Sequence, residues 1–261
     1  MTQIITPPQK YNVSWEKLPT DFVLPDDPVE NINQPFLAAA LTEALDNYGF
    51  ITDSMLIASN FGLCAKVNGK TVVKAPDWLY VPRVFPVAEG VIRRSYTPHT
   101  EGDVPAVVME FLSETDAGEY SVRPTYPYGK MWFYERILQI PTYVIFDTDL
   151  GFLEVRQLIS GRYEVQQPDE QGRYPISAMG LSVGVWYGKR LETTTHWLRW
   201  WDEEGNLLLW GSEHLALERE KTEQERQRAE QERQRAEAAE QEVARLQERL
   251  RQAGLSDTSG I

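Results

Sequence analysis

A mixed α/β fold, with helices packed on a β-sheet and one long helix at the C-terminus, is what this sequence predicts. Three observations predict it. Short apolar runs rich in Val, Ile, Phe and Tyr alternate with helical patterns up to about residue 211. Two of those runs, 104–113 and 141–147, flank a helical stretch, which is the sequence form of a parallel strand–helix–strand unit. From Ser212 to Ala253 the composition then changes to Glu, Arg, Gln and Ala, with no Gly, Pro, Phe, Trp or Tyr.

The elements follow in order. Residues 1–31 are rich in Pro and poor in periodicity, so they read as an extended lead-in. "NQPFLAAALTEALDNYG" (33–49) predicts a helix: Phe36, Leu37, Ala40, Leu41, Ala44 and Leu45 share one face, and Gly49 ends it. "SMLIASNFGLCAKV" and "TVVKAPDWLYVP" read as strands, joined by a hairpin turn at "NGK" (68–70). "VPAVVMEFLS" (104–113) is a strand, "YPYGKMWFYERIL" (126–138) a crossover helix, and "PTYVIFD" (141–147) the returning strand. "FLEVRQLISGRYEVQQP" reads as a hairpin turning at Ser160-Gly161-Arg162, and "LRWWDEEGNLLLW" (198–210) as a second, turning at Glu204-Gly205-Asn206. The domain is therefore expected over 32–211, a charged helix over 212–253, and a disordered tail over 254–261 after the stop at Gly254.

Within the charged helix "QERQRAE" occurs at 224–230 and again at 231–237. Spacing by seven from Leu215 runs through Thr222, Ala229, Ala236, Val243 and Leu250, with Leu246 and Ala253 on the companion seam. Only the last two heptads are apolar enough for a coiled coil. The stretch is either a projecting polar helix or a surface for a homodimer or partner helix.

The chain has 261 residues and a net charge of −13. The charged helix carries 11 Glu against 9 Lys plus Arg, and Asp257 adds one more negative charge, so residues 1–211 hold −10 of the −13. Such a field does not attract nucleic acid, which argues against a simple DNA-binding module but not against an enzyme with a local, metal-assisted site. One cysteine, Cys64, allows neither a disulfide framework nor a Cys-ligated metal cluster. No stretch approaches the apolar length of a membrane span, and the N-terminus lacks a secretory pattern, so a cytoplasmic protein is expected.

Glu110 is the anomaly in this pattern. It sits inside "VVMEFLS" (107–113), where an ionised carboxylate is costly to bury without a partner. Asp77 opens another apolar run in "APDWLYV", and Lys130 shares the apolar face of the crossover helix with Phe133, Tyr134 and Ile137. Two acids and an amine could thus converge on one α/β unit. Two like charges in a cleft repel unless a cation lies between them, and a hard divalent ion takes one or two carboxylates plus water and phosphate oxygens. In the plainer alternatives, Asp77 caps a turn, Glu110 pairs with an arginine such as Arg93, Arg94 or Arg123, and Lys130 snorkels outward. The tryptophans at 197, 200, 201 and 210 are read as packing rather than as a base-stacking platform.

"APDWLYV", "VVMEFLS" and "YGKMWFYERILQIPTYVIFD", in this order, resemble the Uma-two family within the restriction-endonuclease-like PD-(D/E)XK nuclease superfamily. The resemblance covers about residues 28–190. It implies a restriction-endonuclease-like mixed sheet flanked by helices, and a metal-dependent endonuclease with DNA as substrate. It implies Asp77, Glu110 and the main-chain carbonyl of Phe111 as ligands of Mg²⁺ or Mn²⁺, and Lys130 as the catalytic lysine. The superfamily's usual lysine two residues after the second acid is here Leu112. Family members often carry a His or Glu near the first helix, where this chain has Asn33 and Gln34, with Glu30 nearby. The competing expectation is a scaffold that keeps the nuclease fold but acts through its C-terminal helix.

Overall fold

The computed structural model describes residues 33–90, 92–112 and 118–253. The lead-in with Glu30 and the tail after Ala253 lie outside the described residues. The elements are α1 (Asn33–Asn47), β1 (Leu56–Ala58), β2 (Gly62–Val67), β3 (Lys70–Lys74), β4 (Trp78–Val81), β5 (Ser95–Tyr96) and β6 (Val107–Leu112). Then come α2 (Lys130–Trp132), which continues as a π-helical segment over Phe133–Leu138, and β7 (Thr142–Asp147), β8 (Phe152–Ile159) and β9 (Arg162–Val165). β10 (Arg173–Ile176), β11 (Leu181–Arg190), β12 (Thr193–Trp201) and α3 (Gly211–Gln252) complete the chain.

The central sheet has six strands in the order β1-β4-β6-β7-β8-β9. β6 and β7 are parallel and the other pairs antiparallel, so the strand–helix–strand unit read from the sequence is present. Both central strands are buried almost throughout. One face, with Trp78, Tyr80, Val107, Met109, Phe111, Val144 and Phe146, packs against α1 and the three-stranded sheet β10-β11-β12. The opposite face, with Leu79, Val81, Val108, Tyr143 and Ile145, packs against α2 and the small sheet β3-β2-β5. Strand alternation puts Glu110 on this second face, in line with Val108.

Local sequence explains most element boundaries. α1 buries Leu37, Ala40, Leu41, Ala44 and Leu45 as their spacing requires, whereas Phe36 lies at the edge of that stripe and is exposed. The first predicted strand divides into β1 and β2 at Asn60, which takes a positive φ of 47°. The second divides at Ala75-Pro76-Asp77. The β2–β3 turn is a two-residue loop, Asn68-Gly69, with both residues at positive φ and Val67 opposite Lys70. α2 starts at Lys130 rather than near 126, because Tyr126 precedes a proline and Gly129 is still extended at ψ 151°.

The C-terminal hairpin differs from the sequence reading. The long pair is β11 with β12, turning at Leu191-Glu192. The expected partner of β12 within 198–210 forms only a single bridge, Trp201↔Leu207, around the turn at Gly205. Leu191 and Glu192 both take positive φ with neither Gly nor Asn at the turn, so "RLET" (190–193) carries no turn signal. Trp197, Trp200 and Trp210 are fully buried here, as the packing reading expects.

α3 is 42 residues long, roughly 60 Å. Its first turn is fixed to the domain. The Gly211 amide donates to Glu43 Oε1 (2.8 Å), and Glu213 accepts from the Trp210 amide (2.8 Å) and from the buried guanidinium of Arg199 (2.6 and 3.0 Å). Beyond that turn none of its residues is buried. The helix is laced by its own ion pairs, among them Glu223–Arg226, Glu230–Arg233 and Glu248–Arg251.

Candidate active site

The pairing of β4 with β6 runs Tyr80↔Val107, Leu79↔Val108, Trp78↔Met109. Carried one residue further, this register sets Asp77 opposite Glu110. Asp77, just before β4, therefore stands next to Glu110 at the end of the β4–β6 ladder, and its charge acts on the Glu110 carboxyl. Asp77 Oδ2 accepts the Phe111 amide at 2.6 Å, which ties the end of β4 to β6. Asp77 also borders a small cleft with Gln34, Ser59 and Asn60.

Glu110 is fully buried and both its oxygens are engaged. Oε1 accepts the Tyr134 hydroxyl at 2.9 Å and Oε2 accepts the Lys130 ammonium at 3.0 Å. The buried acid thus faces a lysine and a tyrosine on one turn of the next helix. Of the arginines weighed as its partners, Arg93 pairs with Glu101 and Arg123 donates to Thr125. Lys130 also reaches Glu119 Oε1 at 3.1 Å, in the short 3₁₀ turn Gly118–Tyr120. Glu119 is buried, its main-chain carbonyl accepts the Tyr143 hydroxyl at 2.9 Å, and its Oε2 has no hydrogen-bond partner among the described residues.

Burial pushes the Glu110 carboxyl up to about 8; the Lys130 ammonium opposes this rise and the charge of Asp77 adds to it. Burial works against the Lys130 ammonium, but Glu110 and Glu119 outweigh it and hold its pKa above the ordinary value. Tyr134 is raised well above its ordinary value by burial and then by Glu110, so it stays a neutral donor.

Three side chains at this site were not assigned to it by the sequence. Tyr134 follows Lys130 by one helical turn and was read only as core. Glu119 stands alone in "GEYS", with no periodic pattern to mark it. Lys74 ends β3 and lies in the electrostatic field of Lys130 and Glu110. Gln34, where the resemblance leads one to expect a His or Glu, donates its amide to the Phe111 carbonyl at 2.7 Å.

The donor set suits a hard divalent ion: two carboxylates at the end of the β4–β6 ladder and a main-chain carbonyl with a second lone pair beside the Gln34 amide. No group of three or more His, Cys, Asp or Glu side chains converges among the described residues, so remaining coordination would fall to water and substrate oxygens.

A sequence model of the family described as "Uma2: Putative restriction endonuclease" matches residues 25–194. That span runs from before α1 to the start of β12 and contains Asp77, Glu110, Lys130, Tyr134 and Glu119. A comparison with curated proteins gave no match. No helix among the described residues is long and apolar enough to cross a membrane.

Proposed function

The chain belongs to the Uma2 family of restriction-endonuclease-like proteins, and from that premise we propose that it is a metal-dependent DNA endonuclease hydrolysing phosphodiester bonds. The observation that carries the reading is the buried Glu110, with the Lys130 ammonium at 3.0 Å and the Asp77 carboxylate held at 2.6 Å on the amide of the next residue, Phe111. A fully buried carboxylate beside a second acid works against folding, and such pairs concentrate where a cation or a reaction needs them.

Asp77, Glu110 and the Phe111 carbonyl would hold Mg²⁺ or Mn²⁺. Such an ion, when bound, would polarise a phosphodiester oxygen and lower the pKa of its water. The protein's own groups do the rest. Tyr134 fixes the Glu110 carboxylate by donating to Oε1, and the Phe111 amide fixes Asp77. Lys130, held charged between Glu110 and Glu119, offsets negative charge as it grows on the attacked phosphate. Gln34 orients the Phe111 carbonyl from the start of α1.

A titration with Mn²⁺ tests the reading directly. Wild type is expected to bind the ion and to nick or cut DNA in its presence. Asp77→Ala should weaken the ion by about tenfold or more and remove cleavage. Wild-type protein that neither binds the ion nor cleaves would support the second reading, a nuclease-fold scaffold acting through its terminal helix. One observation favours that reading: α3 leaves Leu215, Val243, Leu246 and Leu250 exposed along its length.

A further inference from the structure

Lys130 is a poor first contact for an incoming phosphate. Two of its three N–H donors are directed at Glu110 and Glu119, at 3.0 and 3.1 Å, and both carboxylates are buried. The charge of Asp77 acts on Glu110 as well, so the one ammonium already answers two acids and lies beside a third. A phosphodiester approaching that group needs a cation whose charge is not already engaged.

Lys74 answers that description. It is the last residue of β3, three residues before Asp77, and it pairs across the small sheet with Leu63. Leu63, Val67 and Val72 share its face and are buried in the cluster that covers the Glu110 side of the central sheet. Its side chain is half-buried, yet it makes no hydrogen bond or ion pair with any described residue. Its ammonium is disfavoured by burial and then by Lys130, while Glu110 supports it, which sets it in the field of both groups. The hairpin that carries it is tied down by Asn68 Nδ2, which donates to the Tyr128 hydroxyl at 3.4 Å, two residues before Lys130. The stretch 61–74 holds Lys66, Lys70 and Lys74 and no acid, in a chain of net charge −13. A half-buried amine with no anion bonded to it among the described residues is unfavourable by itself, which suits it to a phosphate of the ligand.

Relying on the nuclease reading for the substrate's identity, we infer that Lys74 is the phosphate-contacting lysine of this site. It takes a non-bridging oxygen of the DNA backbone beside Asp77 and Glu110, and Lys130 stays in its carboxylate clamp. Lys74 positions the strand, and the paired acids define where it is cut.

The test uses full-length protein and a short single-stranded oligonucleotide in Ca²⁺, followed by fluorescence anisotropy across a salt series. Lys74→Met should bind about tenfold more weakly, with the slope of log affinity against log salt reduced by about one phosphate contact. Lys74→Arg should keep most of the affinity, and both variants should still bind Mn²⁺ without DNA, Lys74→Met no more weakly than wild type because it removes a positive charge from the field of Glu110. An oligonucleotide affinity and salt slope unaltered in Lys74→Met overturn the inference, as does a wild type that binds no oligonucleotide. The two readings separate cleanly. Cleavage in Mn²⁺ with unaltered Lys74→Met binding removes only the role of Lys74. Lys74-dependent binding without cleavage removes only the nuclease.

Discussion

Glu213→Ala should destabilise the domain by about 3–5 kcal/mol, more than any other single change on the surface of α3. Glu213 reads from the sequence as one acid among many in a charged helix. In the structure it neutralises Arg199, whose side chain has no solvent exposure. The guanidinium lies 3.4 Å over the Trp210 ring and donates to the Leu208 carbonyl, while its Nε has no partner among the described residues. Without Glu213 a buried cation would keep only neutral contacts, and α3 would also lose an acceptor for the Trp210 amide. Urea melts of the variant measure this. A cut after Leu217 should leave the midpoint nearly unchanged, whereas a cut after Trp210 should reproduce the loss. The double change Arg199→Met with Glu213→Leu should recover much of it, since an apolar pair of similar volume removes the stranded charge. A Glu213→Ala protein as stable as wild type would mean that Arg199 is satisfied by its aromatic and carbonyl contacts alone.

That residue shows what a sequence hides. Periodicity exposes elements whose partner is implied by their own pattern. β6 and β7 are continuous apolar runs, α1 has a stripe at helical spacing, and Asn68-Gly69 has the backbone freedom a tight hairpin needs. The site's skeleton was legible for the same reason: an acid inside an apolar strand is a contradiction that must be resolved nearby. Glu119, Glu213 and Lys74 contradict nothing locally. Their meaning comes from partners 11 or 14 residues away, or from the lack of one, and no spacing rule points to them. The β11–β12 turn was invisible because Leu191 and Glu192 adopt left-handed backbone under the constraint of the strands they join.

Glu110→Gln should abolish metal-dependent cleavage, by about a thousandfold or more, while making the metal-free protein more stable above neutral pH. The sign follows from the proton. Glu110 has an ordinary carboxyl pKa near 4.5 when unfolded and about 8 when folded, because burial disfavours its charge. The folded state therefore binds this proton more tightly. Its contribution to stability is fully present below about pH 4.5 and is lost as the pH rises through about 8. Glutamine mimics the protonated carboxyl at every pH and can still accept from Lys130 or Tyr134. Wild type and variant should therefore melt alike near pH 5 in EDTA. They should diverge as the pH rises, reaching on the order of 4 kcal/mol in favour of the variant near pH 9. Mn²⁺ should reverse the order, since only the wild type has the anion that holds it, and its affinity for the wild type should rise with pH up to about 8 as the ion displaces that proton. Denaturant melts of both proteins from pH 5 to 9, with EDTA or Mn²⁺, read all of this. A variant less stable than wild type at pH 8 in EDTA would show that the Glu110–Lys130 ion pair serves folding rather than a cation, and would return the buried acid to a structural role.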